Sequence, residues 1–139
     1  MDKISVKIVR RVNSRELVHL YKDAGWWKPG YSERASCINS LVRNSFCLAG
    51  AFYKKRLVGM GRSLSDGAGD AYIQDVTVLN EFRGMGVGRK IIITIVDYLR
   101  RRGIDWIGLI AEPGLERFYR ELGFRRMKDH TPMIWRGDE

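Results

Sequence analysis

From Asp75 to Lys90 the chain reads Asp-Val-Thr-Val-Leu-Asn-Glu-Phe-Arg-Gly-Met-Gly-Val-Gly-Arg-Lys, and few folds accommodate such a stretch. Val76 and Val78 are β-branched and alternate with Asp75 and Thr77, the pattern of a strand with two unlike faces. Gly84, Gly86 and Gly88 then remove every second side chain. That lets backbone N–H groups come close to a ligand. A helix starting at this point directs its unpaired N–H groups and its positive dipole end to the same place. A strand, a bare turn and a helix N-terminus together suit a phosphate or pyrophosphate. Arg83 and Arg89 add positive charge on either side.

Two familiar phosphate loops do not fit. A P-loop requires Gly-x-x-x-x-Gly-Lys-Ser/Thr, and the sixth position from Gly84 is Arg89. A dinucleotide fingerprint requires Gly-x-Gly-x-x-Gly, and its last glycine would fall on Arg89 or, counted from Gly86, on Ile91. The pattern that fits is Arg-x-x-Gly-x-Gly, at Arg83, Gly86 and Gly88. Downstream, Phe118-Tyr119-Arg120-Glu121-Leu122-Gly123-Phe124 supplies Phe-Tyr-x-x-x-Gly-Phe. In this order the two signatures resemble those of the GCN5-related N-acetyltransferases, the GNAT superfamily. The resemblance is specific over residues 56–127; upstream, only the order of elements agrees. In look the chain is similar to small bacterial members and to plant arylalkylamine (serotonin-type) acetyltransferases.

Periodicity supplies the elements. Ile4 to Val12 alternates as a first strand. Asn13 or Ser14 caps a helix with Leu17, Leu20 and Tyr21 on its apolar face, ended by Gly25. Ser32 caps a second helix carrying Ile38, Leu41 and Val42. Ser45 to Tyr53 and Arg56 to Leu64 form a hairpin about Lys54-Lys55, and Ala71 to Leu79 is the central strand. Ile91 to Val96 is as β-branched as any strand. Even so, Ile92, Ile95, Val96 and Leu99 form an i, i+3, i+4, i+7 stripe, and Arg100 to Arg102 followed by Gly103 is a helix ending. Asp105 to Ile110 is a short strand. Pro113 opens a helix through Leu122. Phe124 to Lys128 and Met133 to Arg136 are the last strands, around a turn at Asp129 to Pro132. The order is β-α-α-β-β-β-α-β-α-β-β, an α/β fold. The resemblance implies the sheet order: a mixed, mostly antiparallel central sheet flanked by helices.

At 139 residues the length predicts one domain, 1–139, with a core that needs no staples. Cys37 and Cys47 lack metal or redox spacing and read as buried, reduced thiols. No apolar run reaches the ~20 residues of a membrane span, and the N-terminus has no signal core. The expectation is a cytoplasmic protein with no membrane partner. The formal net charge of +9 is spread over separate clusters such as Arg10-Arg11 and Lys54-Lys55-Arg56. No nucleic-acid motif accompanies them, so the reading is a basic surface around a polyanionic cofactor, without a nucleic-acid partner. His19 and His130 stand alone, and no metal site is expected.

The resemblance implies acetyl-CoA as cosubstrate and a small-molecule amine, arylalkylamines among them, as acceptor; the alternatives are a protein or peptide amine as acceptor and a non-catalytic acyl-CoA-binding module, and a homodimer is a habit of the superfamily. Val76, Thr77 and Val78 would lie along the pantetheine arm. Arg83 and the backbone N–H groups of Gly84, Met85, Gly86, Val87, Gly88 and Arg89 would hold the pyrophosphate, with Phe118 nearby. Tyr119 would protonate the leaving thiolate. Asp75 is the first choice of base and Glu112 the second, with a water chain the alternative to either, and Asp75 is equally suited to pairing with an arginine. Trp26, Trp27 and Tyr31 fall where the acceptor wall is expected. Aromatics there hold an aryl group or a cation, or simply pack the helices.

Overall fold

Strand and helix alternate as expected along most of the chain in the computed structural model, which describes residues 3–28, 30 and 36–137. The elements are β1 Ser5–Val9, α1 Ser14–Asp23, α2 Ser36–Asn44, β2 Cys47–Tyr53, β3 Arg56–Leu64, β4 Asp70–Val78, α3 Val87–Arg101, β5 Trp106–Gly108 and α4 Glu116–Glu121. The coordinates divide into two compact units after Leu109. The first holds the sheet, in the order β1-β2-β3-β4-β5. Neighbours are antiparallel up to β4, and β5 runs parallel to β4. Lys54 and Lys55, both at positive φ, make the tight β2–β3 turn that the right-handed twist favours.

The isoleucine-rich segment is helical, and β3 shows why. A Cβ on Gly61 would stand 2.8 Å from Ile91 Cγ2 and 3.0 Å from Ile95 Cδ1, and one on Gly59 would stand 3.2 Å from Ile91 Cδ1. The glycines let α3 sit directly on the sheet, so its β-branched side chains fill the space that strand side chains would otherwise occupy. Ile91, Ile92, Ile95 and Leu99 are buried there, each worth roughly 1.5–3 kcal/mol. On the opposite face α1 buries Leu17 and Leu20. Asn13 caps α1 by accepting from the Glu16 N–H at 3.1 Å. The Glu16 carboxylate in turn accepts from the Leu57 N–H at 3.2 Å, tying the helix to β3.

Three helices end in the same way. At α1, Gly25 N–H donates to Lys22 O and Trp26 N–H to Tyr21 O. At α3, Gly103 N–H donates to Arg100 O and Ile104 N–H to Leu99 O. At α4, Gly123 N–H donates to Arg120 O and Phe124 N–H to Tyr119 O. Each glycine has positive φ. This is the Schellman arrangement, in which the residue after the glycine packs back on the residue that accepts its N–H.

Two expected strands do not form. Residues 124–128 and 133–136 carry strand-like alternation, but the five-stranded sheet includes neither. Met133, Ile134 and Trp135 are exposed. Alternation predicts a strand only if a ladder partner exists to take its N–H and C=O groups. The turn between the segments is present, with Asp129 at positive φ. The fourth helix is also shorter than expected, with Pro113 and Gly114 in the turn before it. The expected cap at Ser32 lies outside the described residues. Of the two cysteines expected in the core, Cys47 is buried and Cys37, in the first turn of α2, is exposed.

Candidate active site

The centre of the site is an irregularity in β4. Met60 pairs with Thr77 and Arg62 with Gln74, so Asp75 and Val76 together face the single residue Gly61. This is a β-bulge, and it reverses the alternation of the strand. Ser63 pairs with Ile73 and shares a face with Gly61, while Val76 Cγ2 lies 3.3 Å from a Cβ built on Gly61. Ile73 and Val76 therefore face α3 although they are three positions apart, an odd spacing that would put them on opposite faces of a regular strand. Asp75 is turned to the α1 face. Its φ of 55° lies in the left-handed region, which Asp tolerates better than most residues.

Just before the bulge β4 loses a neighbour. Its parallel pairing with β5 covers Asp70 to Tyr72 only, so the strands separate and, among the described residues, the β4 edge from Ile73 to Val78 has no sheet partner on that side. An extended ligand can pair there as an added strand would. The expected pantetheine-binding residues Val76, Thr77 and Val78 all lie on this stretch.

The glycine turn follows at once. Gly84 and Gly86 have φ of 77° and 80°, and a Cβ on either would meet nothing within 4 Å. Glycine is needed there for its backbone angles, and the space in front of the turn is open. Gly86 is the N-cap of α3. The first bond of the helix runs from Lys90 N–H to Gly86 O, so the N–H groups of Val87, Gly88 and Arg89 precede it without a carbonyl in the helix. Met85 and Arg89 are exposed. Arg83 is differently engaged. Its Nε donates to Val78 O at 2.9 Å and its Nη2 to Asp23 Oδ2 at 3.3 Å. The guanidinium ties the loop to the end of β4 and to α1.

Asp75 is held by two groups that sequence reading did not connect with it. Tyr21 Oη donates to Asp75 Oδ2 at 2.7 Å, and Arg62 Nε donates to the same oxygen at 2.7 Å. The arginine partner left open by the sequence is therefore present. Arg62 and Asp75 expose only 14 % and 26 % of their side chains. Burial pushes the Tyr21 phenol above its ordinary range, and the hydrogen bond to Asp75 and the charge of Asp75 add to this, with Arg62 opposing. A charged residue within the small and apolar run of β3 was the one sequence signal for Arg62. Tyr21 gave none beyond its place on the apolar face of α1.

In the second unit, Tyr119 is the residue that accepts the Phe124 N–H in the α4 Schellman ending, and its ring meets Phe124 edge-on at 5.7 Å and Phe118 at 4.9 Å. The Phe-Tyr-x-x-x-Gly-Phe signature is thus a cap that fixes this tyrosine. Burial raises its phenol above the ordinary range, and the charge of Glu112 raises it further. Such a group keeps its proton well above neutral pH.

Of the aromatics expected at the acceptor wall, Trp26 and Trp27 are half-buried. Trp26 meets Tyr21 edge-on at 5.8 Å, as the α1 ending requires, and Lys22 Nζ stands 6.0 Å from the Trp27 ring centre. Tyr31 lies outside the described residues. Among those residues no cluster of His, Cys, Asp and Glu could hold a metal ion, and no helix is long and apolar enough to cross a membrane.

A splayed parallel pair beside a bulged strand, leading into a bare turn at a helix N-terminus, defines an acyl-CoA-dependent transferase fold. The family model of the acetyltransferase (GNAT) family matches residues 9–124, and the chain belongs to that family. It is an acetyl-CoA-dependent N-acetyltransferase. The chain is 32 % identical over 144 residues to an uncharacterized ycf52 N-acetyltransferase of Pyropia yezoensis, covering 96 % of this chain and 80 % of the relative. A shorter match, 41 % over 69 residues, is to the chloroplastic serotonin N-acetyltransferase 2 of Oryza sativa subsp. japonica, covering 50 % of this chain and 34 % of that protein. Among solved structures, a GNAT-family acetyltransferase of Streptococcus pneumoniae superposes with a TM-score of 0.82 at 24 % identity, covering 99 % of this chain and 100 % of the other. That likeness is one of fold.

Proposed function

We propose that the acceptor is the primary amine of a small molecule, with arylalkylamines the first class to test, and that the amine attacks the thioester directly. The observation carrying the acyl-transfer part of this reading is the unpaired β4 edge running from the bulge into the glycine turn. It offers one continuous track for the pantetheine arm and the pyrophosphate of the coenzyme. The partial match to a serotonin acetyltransferase supports the aryl class.

In this reading an arriving ammonium gives one proton to Asp75, directly or through a water. The neutral nitrogen forms its bond to the acetyl carbon, and the carbon–sulfur bond breaks. Tyr119 protonates the leaving thiolate, and the proton lost as the amide forms restores the phenol. A backbone N–H near Val76 stabilises the oxyanion, a contribution of a few kcal/mol in acyl transfer. Trp26 and Trp27 contribute to the acceptor wall, where an aromatic ring holds an aryl group or a cation.

The test is thiol release from acetyl-CoA, for the wild type and Tyr119→Phe, against arylalkylamines, polyamines and lysine peptides. Turnover confined to small amines, with kcat about 10²-fold lower in the variant, is the expected result. Preference for lysine peptides would replace the acceptor with a protein amine. Equal rates for both enzymes would remove Tyr119 from the mechanism.

A further inference from the structure

We infer that Tyr21 and Arg62 are positioning residues that clamp one oxygen of Asp75, so that its other oxygen is the one presented to the acceptor amine. This rests on the role proposed for Asp75 and goes beyond it, by assigning two residues outside both family signatures.

Three observations converge. Both donors reach Oδ2, each at 2.7 Å, while Oδ1 makes no hydrogen bond among the described residues. Fixing one carboxylate oxygen between a phenol and a guanidinium leaves the carboxyl plane little freedom and directs the second oxygen outward. The clamp also accounts for the backbone. Asp75 has a left-handed φ within a strand, a conformation that costs of order 1–3 kcal/mol and persists only where surroundings over-determine it. A donor from α1 and a donor from β3 over-determine it from two elements.

The donors are themselves fixed. Tyr21 is the residue that accepts the Trp26 N–H at the end of α1, at 2.9 Å, and is 7 % exposed. The Arg62 backbone is paired in β3 on both sides, with Leu48 and with Gln74. Neither group needs to move for Asp75 to act. A buried hydroxyl is costly unless hydrogen-bonded, and for the Tyr21 phenol Asp75 is the acceptor that meets that need. The charged and titratable groups contacting Asp75 among the described residues are these two, one from α1 and one from β3.

Two readouts test the clamp, one independent of turnover. Alkaline titration followed by tyrosine absorbance is run on the wild type, Tyr21→Phe and Asp75→Asn. Expected is a phenol that stays protonated to the highest pH at which the wild type remains folded, is absent in Tyr21→Phe and ionises within that range in Asp75→Asn. An unmoved phenol in Asp75→Asn would overturn the clamp whether or not any amine is turned over.

The second readout is a double-mutant cycle on kcat with an accepted amine. Tyr21→Phe keeps the ring that packs on Trp26 and removes only the hydroxyl. It should lower kcat about 10-fold, with the KM for acetyl-CoA within about twofold of wild type, the pattern of a lost transition-state interaction. Asp75→Asn should cost about 10², and the double variant should be no slower than Asp75→Asn alone, because coupled residues are not additive. Additive losses would mean that Tyr21 acts through general stability, and would overturn the inference. Arg62→Gln should behave like Tyr21→Phe, with partial recovery in Arg62→Lys. If the wild type turns over no amine, the proposed function falls, and presentation of Asp75 to an acceptor falls with it. The titration separates that failure from failure of the clamp.

Discussion

Replacing Gly61 by alanine tests whether the close seating of α3 on β3 organises this fold. The added Cβ would lie 2.8 Å from Ile91 Cγ2, 3.0 Å from Ile95 Cδ1 and 3.3 Å from Val76 Cγ2. The first distance is one that real Cβ atoms essentially never show. Ile91 and Ile95 are fully buried, and a branched Cγ2 cannot swing away without leaving its rotamer. Overpacking of this kind costs roughly 1–3 kcal/mol. Alanine recovers about 0.4–1 kcal/mol by restricting the unfolded chain. The net expectation is a loss of about 1–2 kcal/mol, or roughly 3–7 °C in the thermal midpoint for a chain of this size. Gly69→Ala is the control: nothing lies within 4 Å of its Cβ and its φ is ordinary, so its midpoint should stay level or rise slightly. Thermal unfolding followed by circular dichroism measures both. Because the N-terminus of α3 carries the glycine turn, Gly61→Ala should also weaken acetyl-CoA binding in calorimetry. Equal midpoints for Gly61→Ala and wild type would refute the argument.

Gly86→Glu adds a side chain and a negative charge at a φ of 80°, in front of unpaired helix N–H groups. Acetyl-CoA binding should be lost, with the circular dichroism spectrum unchanged; retained binding would mean the pyrophosphate lies elsewhere. The phenols of Tyr21 and Tyr119 are both raised. Their contribution to stability is complete below the unfolded tyrosine value of ~10 and is lost as pH rises through the folded values. The urea midpoint should therefore fall from about pH 10 upward, and less steeply in Tyr21→Phe; identical slopes would show that burial of Tyr21 carries no such penalty. Arg83→Ala removes the ties to Val78 O and Asp23 and should raise the KM for acetyl-CoA several-fold by loosening the loop. An unchanged KM would show that the loop holds its shape without that side chain.

Local chemistry written in consecutive residues was legible without coordinates. The glycine turn, the valine strand before it and the helix after it depend on backbone freedom and side-chain spacing within about a dozen residues. The helix endings at Gly25, Gly103 and Gly123 are of the same kind. The helical identity of Ile91 to Val96 was legible from its stripe and its basic ending, against its β-branched composition. Its cause, the bare glycine track on β3, is a contact between segments some 30 positions apart in the sequence.

What tertiary structure alone decided depends on groups brought together from distant parts of the chain. Tyr21 and Asp75 are 54 residues apart, and no local pattern links a helix tyrosine to that strand carboxylate. The bulge that turns Asp75 toward α1 exists only once β3 and β4 are paired, since a register is a property of two strands. The segments 124–128 and 133–136 make the same point in reverse. Their alternation is written in the sequence, but a strand also needs a neighbour to accept its hydrogen bonds, and a chain cannot state that locally. Asp75 was thus recognisable from the sequence as a carboxylate in the right strand. Which of its oxygens is clamped, and which is left for an acceptor, follows from the fold.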